Sequence, residues 1–383
     1  MSRTPAVIDR HLEALDFNSD GGLLLGAGTL TGQYWYGSLW YFSDPEDAPY
    51  KEKCTAGIQV ESGVTDVKWL TGTTLAHSSD TANLDIWGLT TDETEGTLFT
   101  PVSQLCGHDD IVTSLDVFSG GANQIISSSI DKCINIWDVG ESCLLKSYKG
   151  HQDHVLQVSA HPTDENLFLS CSLDGRVLLW DRRKQKAASI LDISPCKGTP
   201  TCITWDPVQA SMYAFGDNTG AVTYKDVRQN IGQANTSQPH TGKIHRVRFS
   251  KTNPTWLGSV SDDCTVVVSD MSSSPASILS RDANNSDFVH GLAWCPKSNK
   301  LYTCGWDFNV TSLDIAKSDI QKSQMKNKLN GAAISGESQP LENHTKDGDT
   351  AMENVLDFLS IMRDVHCIKR EASLLRKQLL CNA

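Results

Sequence analysis

The chain has 383 residues and a formal charge of −13, and the net negative charge lies in residues 1–315, which hold 23 Lys and Arg against 37 Asp and Glu. A negative surface repels phosphate backbones and anionic lipids and attracts basic protein segments, so the charge disfavours direct binding to nucleic acid or membrane. The alternative is that the negative charge serves only to keep the protein in solution. No run approaches the roughly 18 to 20 apolar residues of a transmembrane helix, which disfavours a membrane protein independently.

A short strand ending recurs along the chain at steps of 43 to 50 residues. Four of the seven copies have Trp at the middle position, and five end in Asp, as in IWD and LWD. A self-similar period of this length indicates WD40 repeats, which close into a ring of four-stranded blades. The sequence therefore predicts an all-β, seven-bladed WD40 β-propeller over residues 1–315. The seven endings are residues 39–41, 86–88, 136–138, 179–181, 224–226, 268–270 and 312–314.

Alternating apolar and polar residues predict the first strand of each blade. A ring of blades must also be latched, because its first and last sheets would otherwise leave open edges. Either residues 5–10 or the chain just after Ile315 pairs with the last blade, and we favour the N-terminal segment. The predicted first strands are residues 11–17, 64–69, 111–117, 155–160, 202–205, 244–249 and 289–294.

Two repeats carry the same four polar side chains at the same offsets, with Asp four residues after Ser and Trp six after Asp. In WD40 proteins such residues form a buried hydrogen-bonded relay. A hydrolase triad also uses Ser, His and Asp, but it is needed once, whereas this set recurs from blade to blade. We therefore predict a structural relay and no catalytic residues. Its members are His108, Ser127, Asp131 and Trp137 in one repeat and His151, Ser170, Asp174 and Trp180 in the next.

The C-terminal part has a different composition. Residues 316–350 are polar without an apolar period, which predicts a flexible linker. Residues 351–383 predict an amphipathic helix, because apolar residues from Phe358 to Leu379 follow alternating steps of three and four. Residues 351–382 thus suit docking to another chain or to a second copy, while packing against the side of the propeller is the alternative.

Several segments resemble one family more closely than WD40 repeats in general. Residues 21–42 read GGLLLGAGTLTGQYWYGSLWYF, and the similarity continues at 56–64, 108–112, 168–172, 215–217 and 304–307. These segments are similar to methylosome protein 50, the WD-repeat partner subunit of the type II protein arginine methyltransferase.

The resemblance implies a non-catalytic adaptor. Such a subunit binds the N-terminal barrel domain of the methyltransferase and helps to present basic Arg- and Gly-rich substrates, including histones and Sm proteins, for symmetric dimethylation. The alternative is a WD40 scaffold for another client, such as a histone chaperone or a ubiquitin-ligase substrate receptor. We expect no cofactor and no metal, since the sequence has no phosphate-binding Gly loop, no HExxH and no zinc-like Cys and His spacing.

The resemblance also indicates the partner-binding residues. It places Trp35 in a loop between two first-blade strands, within GQYWYG, where an aromatic of the family inserts into the methyltransferase. Tyr34 adjoins it, and Gln33 departs from the basic residue that the family can carry. Phe288 precedes a first strand and is a second candidate, as is Asp80, for which a turn-forming role is the simpler reading.

Cysteine usage bears on the compartment. The 12 Cys include no C-x-x-C pair, and most lie in strand-like runs, which indicates free thiols in a reducing environment. We therefore expect a cytoplasmic and nuclear protein.

Overall fold

The computed structural model describes residues 8–31, 34–94, 96–120, 123–193, 198–229, 234–273 and 275–315. These residues form 27 strands in seven antiparallel sheets, which confirms the predicted all-β, seven-bladed propeller. The predicted linker (316–350) and terminal helix (351–383) lie outside the described residues. Within the described ranges, no helix has the length and apolar character that a bilayer crossing requires.

The strands follow one another as hairpins, so each sheet is an antiparallel meander. Two short 3₁₀ helices, Pro45–Asp47 and Lys51–Lys53, lie between the third and fourth strands. The first four sheets contain β1 (His11–Phe17), β2 (Leu23–Thr31), β3 (Tyr34–Phe42) and β4 (Ala56–Val60); β5 (Val64–Trp69), β6 (Thr74–Ser79), β7 (Asn83–Asp92) and β8 (Gly96–Cys106); β9 (Val112–Val117), β10 (Gln124–Ser129), β11 (Cys133–Asp138) and β12 (Cys143–Lys149); β13 (Val155–Ala160), β14 (Leu167–Ser172), β15 (Arg176–Asp181) and β16 (Ser189–Ile193). The other three contain β17 (Pro200–Trp205), β18 (Met212–Asp217), β19 (Val222–Asp226) and β20 (Asn235–Ser237); β21 (Ile244–Phe249), β22 (Trp256–Ser261), β23 (Val266–Asp270) and β24 (Ser277–Asp282); β25 (Val289–Trp294), β26 (Lys300–Gly305) and β27 (Val310–Asp314).

The first strand of each sheet is innermost in the ring. Each of these strands contacts the first strand of the next sheet, and β25 contacts β1, which closes the circle. We number the sheets blades 1 to 7 in chain order. Blade 7 has three strands among the described residues, against four in each other blade.

The hydrophobic core is divided into seven clusters, and each lies between two neighbouring blades. One blade buries one face of its sheet against the next, so no blade holds a core of its own. The closing cluster joins Leu12, Trp40 and Phe42 of blade 1 to Tyr302 and Cys304 of blade 7.

The register corrects the sequence alignment in blade 1. Trp137 on β11 pairs with Ile125, two residues before Ser127. The equivalent pair in blade 1 is Leu23 with Phe42, so Phe42 occupies the repeat position that was predicted for Trp40. Three consecutive aromatic residues at 40–42 offer no sequence signal that separates these two registers.

Among the described residues, no segment adds a fourth strand to blade 7. Asp9 accepts hydrogen bonds from Ser38 Oγ at 2.6 Å and Gln59 Nε2 at 3.3 Å, both in blade 1, while Ile8 lies in the core cluster between blades 1 and 7. The described residues thus hold the N-terminal segment at the seam between these blades without adding a strand to β27.

Candidate partner-binding face

One face of the ring is built from equivalent loops of all seven blades. In each sheet the first strand begins at the same end at which the second strand turns back into the third. We call this end the hairpin face. It contains the loops that precede each first strand and the hairpins that join each second and third strand.

The hairpin of blade 1 is longer than the others. Pairing places Ala27 and Ser38 at the positions of Ser129 and Cys133 in blade 3. Between Ala27 and Ser38 lies a stretch of ten residues, whereas the corresponding stretch in blade 3 is three residues, as it is in blades 2 and 4 to 7. Three residue pairs continue the β2–β3 ladder beyond Gly28 and Gly37, which extends the hairpin by roughly 10 Å at about 3.4 Å per residue. We call residues 28–37 the arm.

The arm carries the predicted anchor. The backbone of Trp35 pairs with that of Leu30, so this residue lies in β3 near the tip and not in a loop. Tyr34 begins β3 and pairs with Thr31. Gln33 lies outside the described residues. The glycines of GQYWYG suggested a loop for Trp35, whereas Gly37 pairs with Gly28 within the ladder.

Phe288 lies on the same face, directly before β25 as predicted. Its ring is half-buried and lies 5.8 Å, between centroids, from that of Trp306 in the hairpin of blade 7. Trp306 also contacts His11 of blade 1, at 4.8 Å, and donates a hydrogen bond through its backbone N–H to Phe288 O at 3.0 Å. Phe288 is therefore held by its own blade while part of its ring stays accessible.

Asp80 lies in the hairpin between β6 and β7. Its Oδ1 accepts a hydrogen bond from Gly63 N at 3.0 Å, and its own N–H donates to Gly63 O. The carboxylate thus ties this hairpin to the loop before β5. That is a structural role, and it leaves Asp80 at the hairpin face beside the arm.

These three candidates, which are far apart in sequence, come together in the ring. Phe288 belongs to blade 7, Trp35 to blade 1 and Asp80 to blade 2, and all lie at the hairpin face of three consecutive blades. No sequence pattern predicted that they share a surface.

Acidic residues predominate in the hairpin-face loops of the described chain. The corresponding basic residues are Arg10, Lys132 and Lys243. On the opposite face one loop alone carries Arg182, Arg183, Lys184 and Lys186. The hairpin face is therefore the more negative one and the one that attracts cationic segments. Its carboxylates are Asp9, Glu61, Asp80, Asp109, Asp110, Asp131, Asp153, Asp174, Asp262, Asp263, Asp287 and Asp307.

The relay residues of blade 3 form a continuous chain of hydrogen bonds. Trp137 Nε1 donates to Ser127 Oγ at 2.8 Å, Ser127 Oγ lies 2.7 Å from His108 Nε2, and His108 Nδ1 lies 2.8 Å from Asp131 Oδ2. Burial alone would raise the pKa of Asp131, but hydrogen bonds from His108 and from backbone amides hold it below its usual value. An ionised Asp131 then accepts from Nδ1, which leaves Nε2 to accept the serine proton.

Blade 4 repeats this geometry. Trp180 Nε1 lies 2.8 Å from Ser170 Oγ, Ser170 Oγ lies 2.7 Å from His151 Nε2, and His151 Nδ1 lies 3.0 Å from Asp174 Oδ2. The side chain of His151 is fully buried, as is that of His108. A buried serine whose histidine is sealed from solvent stabilises the blade and offers no substrate a nucleophile.

Two other blades use partial or substituted relays. In blade 6, His240 Nε2 lies 2.8 Å from Ser259 Oγ, while Ser269 stands where Trp137 stands in blade 3. In blade 2, Trp87 Nε1 donates to His77 Nδ1 at 3.1 Å. Burial lowers the pKa of His77 to about 4 despite the neighbouring Asp85, so the ring is a neutral acceptor at pH 7. His77 occupies the position of Ser127 in blade 3, so the predicted relay pattern does not include it.

An ion pair crosses the central channel below the hairpin face. Arg246 on β21 donates through Nη2 to Asp66 Oδ1 on β5 at 2.7 Å, which joins blades 6 and 2. Burial opposes ionisation of Asp66, but Arg246 lowers the pKa of that carboxyl below its usual value. Asp66 also accepts from Leu115 N of blade 3 at 3.2 Å, so one carboxylate links three blades.

The comparisons with known proteins agree with this architecture. The family model for the WD domain, G-beta repeat, matches residues 99–138, 142–181 and 276–311. Each matched stretch begins in the outer strand of one blade, or at the residue before it, and ends in the third strand of the next. Methylosome protein WDR77 of Xenopus laevis is 39% identical over 307 residues, which cover 80% of this chain and 90% of that protein. The chain belongs to the methylosome protein WDR77 family.

More distant relatives share only part of this chain. The transcriptional corepressor LEUNIG_HOMOLOG of Arabidopsis thaliana is 25% identical over 61% of the chain and 27% of its own length. The periodic tryptophan protein 1 homolog of Drosophila melanogaster is 23% identical over 50% of the chain and 42% of its own length. The WDR77 relative differs from both in matching over most of its own length and most of this chain.

Proposed function

We propose that this chain is the non-catalytic adaptor of an arginine methyltransferase complex. It binds the N-terminal barrel domain of a type II methyltransferase and helps to present basic Arg- and Gly-rich substrates, such as histones and Sm proteins, for symmetric dimethylation. It works in the cytoplasm and the nucleus.

The arm of blade 1 is the observation that carries this proposal. A two-stranded extension of roughly 10 Å places Trp35 beyond the sheet that supports it. A large aromatic on a preordered hairpin suits an interface anchor, because its burial removes much apolar surface at a small ordering cost. Phe288 lies on the same face in the adjoining blade and supplies a second apolar contact.

The charge of the hairpin face supports the substrate class. Carboxylates on this face attract basic tails and raise their rate of encounter, an effect that salt weakens. Presentation of such tails therefore falls with ionic strength, whereas an interface anchored by Trp35 and Phe288 is less sensitive to salt.

The test is co-expression with the cognate type II arginine methyltransferase, followed by size exclusion with mass detection and by titration of the purified subunits. Trp35→Ala is expected to weaken the complex by roughly 30-fold or more, the effect of an interface anchor worth about 2 kcal/mol. Tyr50→Ala is the matched control. This tyrosine lies in blade 1 at the opposite end, in the β3–β4 connection, and is 60% exposed.

The outcomes separate the alternatives. Loss with Trp35→Ala but not with Tyr50→Ala supports the arm as the binding site. Binding that survives Trp35→Ala places the contact elsewhere, and Phe288→Ala is then tested next. Failure of the wild type to bind would contradict the adaptor role and favour a WD40 scaffold for another client, such as a histone chaperone or a ubiquitin-ligase receptor.

A further inference from the structure

A β-bulge recurs in the first strand of every blade. In each case the pairing with the second strand skips one residue near the start of the first strand. A bulge re-aims the side chain of the extra residue. These seven residues line a cavity of about 160 Å³ at the mouth of the central channel. They are Glu13, Thr65, Thr113, Leu156, Thr201, His245 and His290.

The two histidines among these seven bulge residues lie next to each other. His245 of blade 6 and His290 of blade 7 stack with ring centroids 3.9 Å apart. Asp262, from the hairpin of blade 6, places Oδ1 2.5 Å from His245 Nε2. One ligand atom from each of the three residues lies within 4.8 Å of the others. Among the described residues, no other three His, Cys, Asp or Glu side chains offer ligand atoms so close together.

These separations bracket those of a zinc site. Zinc binds imidazole nitrogen and carboxylate oxygen at about 2.0–2.2 Å in a tetrahedral arrangement, which places ligand atoms about 3.3 Å apart. Distances between 2.5 and 4.8 Å therefore need side-chain shifts of about 1.5 Å or less. Two imidazoles and one carboxylate are also the donor set of open zinc sites, in which the fourth position takes water or an outside ligand.

A second carboxylate orients one of the imidazoles. His290 Nδ1 lies 2.9 Å from Glu13 Oε2, and Glu13 Oε1 accepts from Trp306 Nε1 at 3.1 Å. Metal-binding histidines commonly donate their other N–H to such a carboxylate, which fixes the ring and its tautomer. With Nδ1 so engaged, Nε2 of His290 is left to bind a metal. The indole of Trp306 stacks on this ring at 4.7 Å and limits its rotation.

The local charge favours a divalent cation. Asp262 and Glu13 supply two carboxylates, while Lys243 supplies one cation to the cavity wall. Arg246 also lines the cavity, but Asp66 pairs with it at 2.7 Å. The side chains of His245, Asp262 and His290 are 16%, 20% and 15% exposed, so an ion reaches them from the hairpin face.

We propose that His245, Asp262 and His290 bind one zinc ion at the mouth of the central channel, with Glu13 as a positioning residue for His290. Three protein ligands leave one position for water or for a side chain of a partner bound at the hairpin face. The site stands on its own geometry and does not depend on the proposed adaptor function.

The test is isothermal titration of the full, chelator-treated chain with zinc chloride, together with a visible spectrum of the cobalt(II) form. We expect one zinc per chain, a higher melting temperature with zinc, and a four-coordinate cobalt spectrum. Binding is lost in Asp262→Asn, which keeps the side-chain shape, and in the double variant His245→Ala, His290→Ala. His154→Ala is the matched control, because His154 also lies on the hairpin face beside a carboxylate, that of Asp153.

Glu13→Gln separates orientation from folding. It is expected to weaken zinc binding by roughly 10- to 100-fold while the melting temperature of the metal-free chain stays unchanged. A change in metal-free stability without a change in zinc affinity would refute the positioning role.

Two results would overturn the site itself. One is the absence of stoichiometric zinc binding by the wild type. The other is binding that persists in the double histidine variant with a thiolate-to-cobalt charge-transfer band, which would assign the metal to exposed cysteines such as Cys106 and Cys143.

Discussion

Removal of the Ser127 hydroxyl tests whether the relay stabilises the propeller. In Ser127→Ala, two buried groups lose their partner at once, Trp137 Nε1–H and His108 Nε2. An unsatisfied buried polar group costs about 1–3 kcal/mol, so the expected loss in the free energy of unfolding for two such groups is about 2–6 kcal/mol.

Two other serines provide a graded comparison. Ser259 bonds His240 but has no Trp partner, so Ser259→Ala orphans one fewer ring nitrogen and costs about 1–3 kcal/mol. Ser114 is also buried, on the first strand of blade 3, and its hydroxyl finds no hydrogen-bond partner in the described part of the chain. Ser114→Ala is therefore the matched control, with an expected change within about 0.5 kcal/mol.

Urea unfolding followed by far-UV circular dichroism measures this series. The midpoints are compared at equal slope, because a changed slope indicates that unfolding is no longer a single cooperative step. The expected order of destabilisation is Ser127→Ala, then Ser259→Ala, then Ser114→Ala. A Ser127→Ala variant as stable as Ser114→Ala would refute the view that the relay acts through satisfied buried hydrogen bonds.

Two further predictions concern ring closure and acid. Gly291→Ala places a Cβ 3.2 Å from Ala14 Cα across the seam of blades 7 and 1, and also against Cys304 Sγ. Because a backbone atom of Ala14 cannot move aside as a flexible side chain would, we expect the free energy of unfolding to fall by about 1–3 kcal/mol, which calorimetry would detect as a lower melting temperature. The second prediction concerns Asp66 and Asp131, whose pKa values in the folded protein both lie below the ordinary 3.8. These two carboxylates therefore stabilise the fold fully above pH 3.8, and their contribution is lost as the pH falls through their folded pKa values. As the pH is lowered below about 4, the melting temperature of the wild type should therefore decrease. The decrease should be less steep for Asp131→Asn, whose melting temperature is already lower at about pH 7. Parallel curves of melting temperature against pH for wild type and variant would contradict this assignment.

Repetition explains which parts of the fold could be predicted. Strand endings that recur seven times fix the period and the number of blades, and equal offsets identified both relays, from His108 to Trp137 and from His151 to Trp180. Blade 1 was placed less well, because Phe42 and Trp40 are chemically alike and only the pairing of β2 with β3 separates them.

The proposed zinc site depends on contacts between residues that are far apart in the sequence. His245, Asp262 and His290 follow one another at intervals of 17 and 28 residues, which match no zinc-binding spacing. What unites the two histidines is the bulge position, and alignment of the seven first strands on that position would have placed them side by side. The relay of blade 2 was not predicted for another reason, because His77 occupies the position at which serine is expected.

The core cluster at the seam between blades 1 and 7 has a consequence for synthesis of the chain. Leu12, Trp40 and Phe42 leave the ribosome early, whereas Tyr302 and Cys304, which cover them, are made about 260 residues after Phe42. At about 5–20 residues per second, this apolar surface stays uncovered for roughly 15–60 s. Nascent chains of this protein are therefore expected to recruit chaperones until blade 7 emerges, and truncation before residue 289 should leave apolar faces of blades 1 and 6 uncovered and promote aggregation.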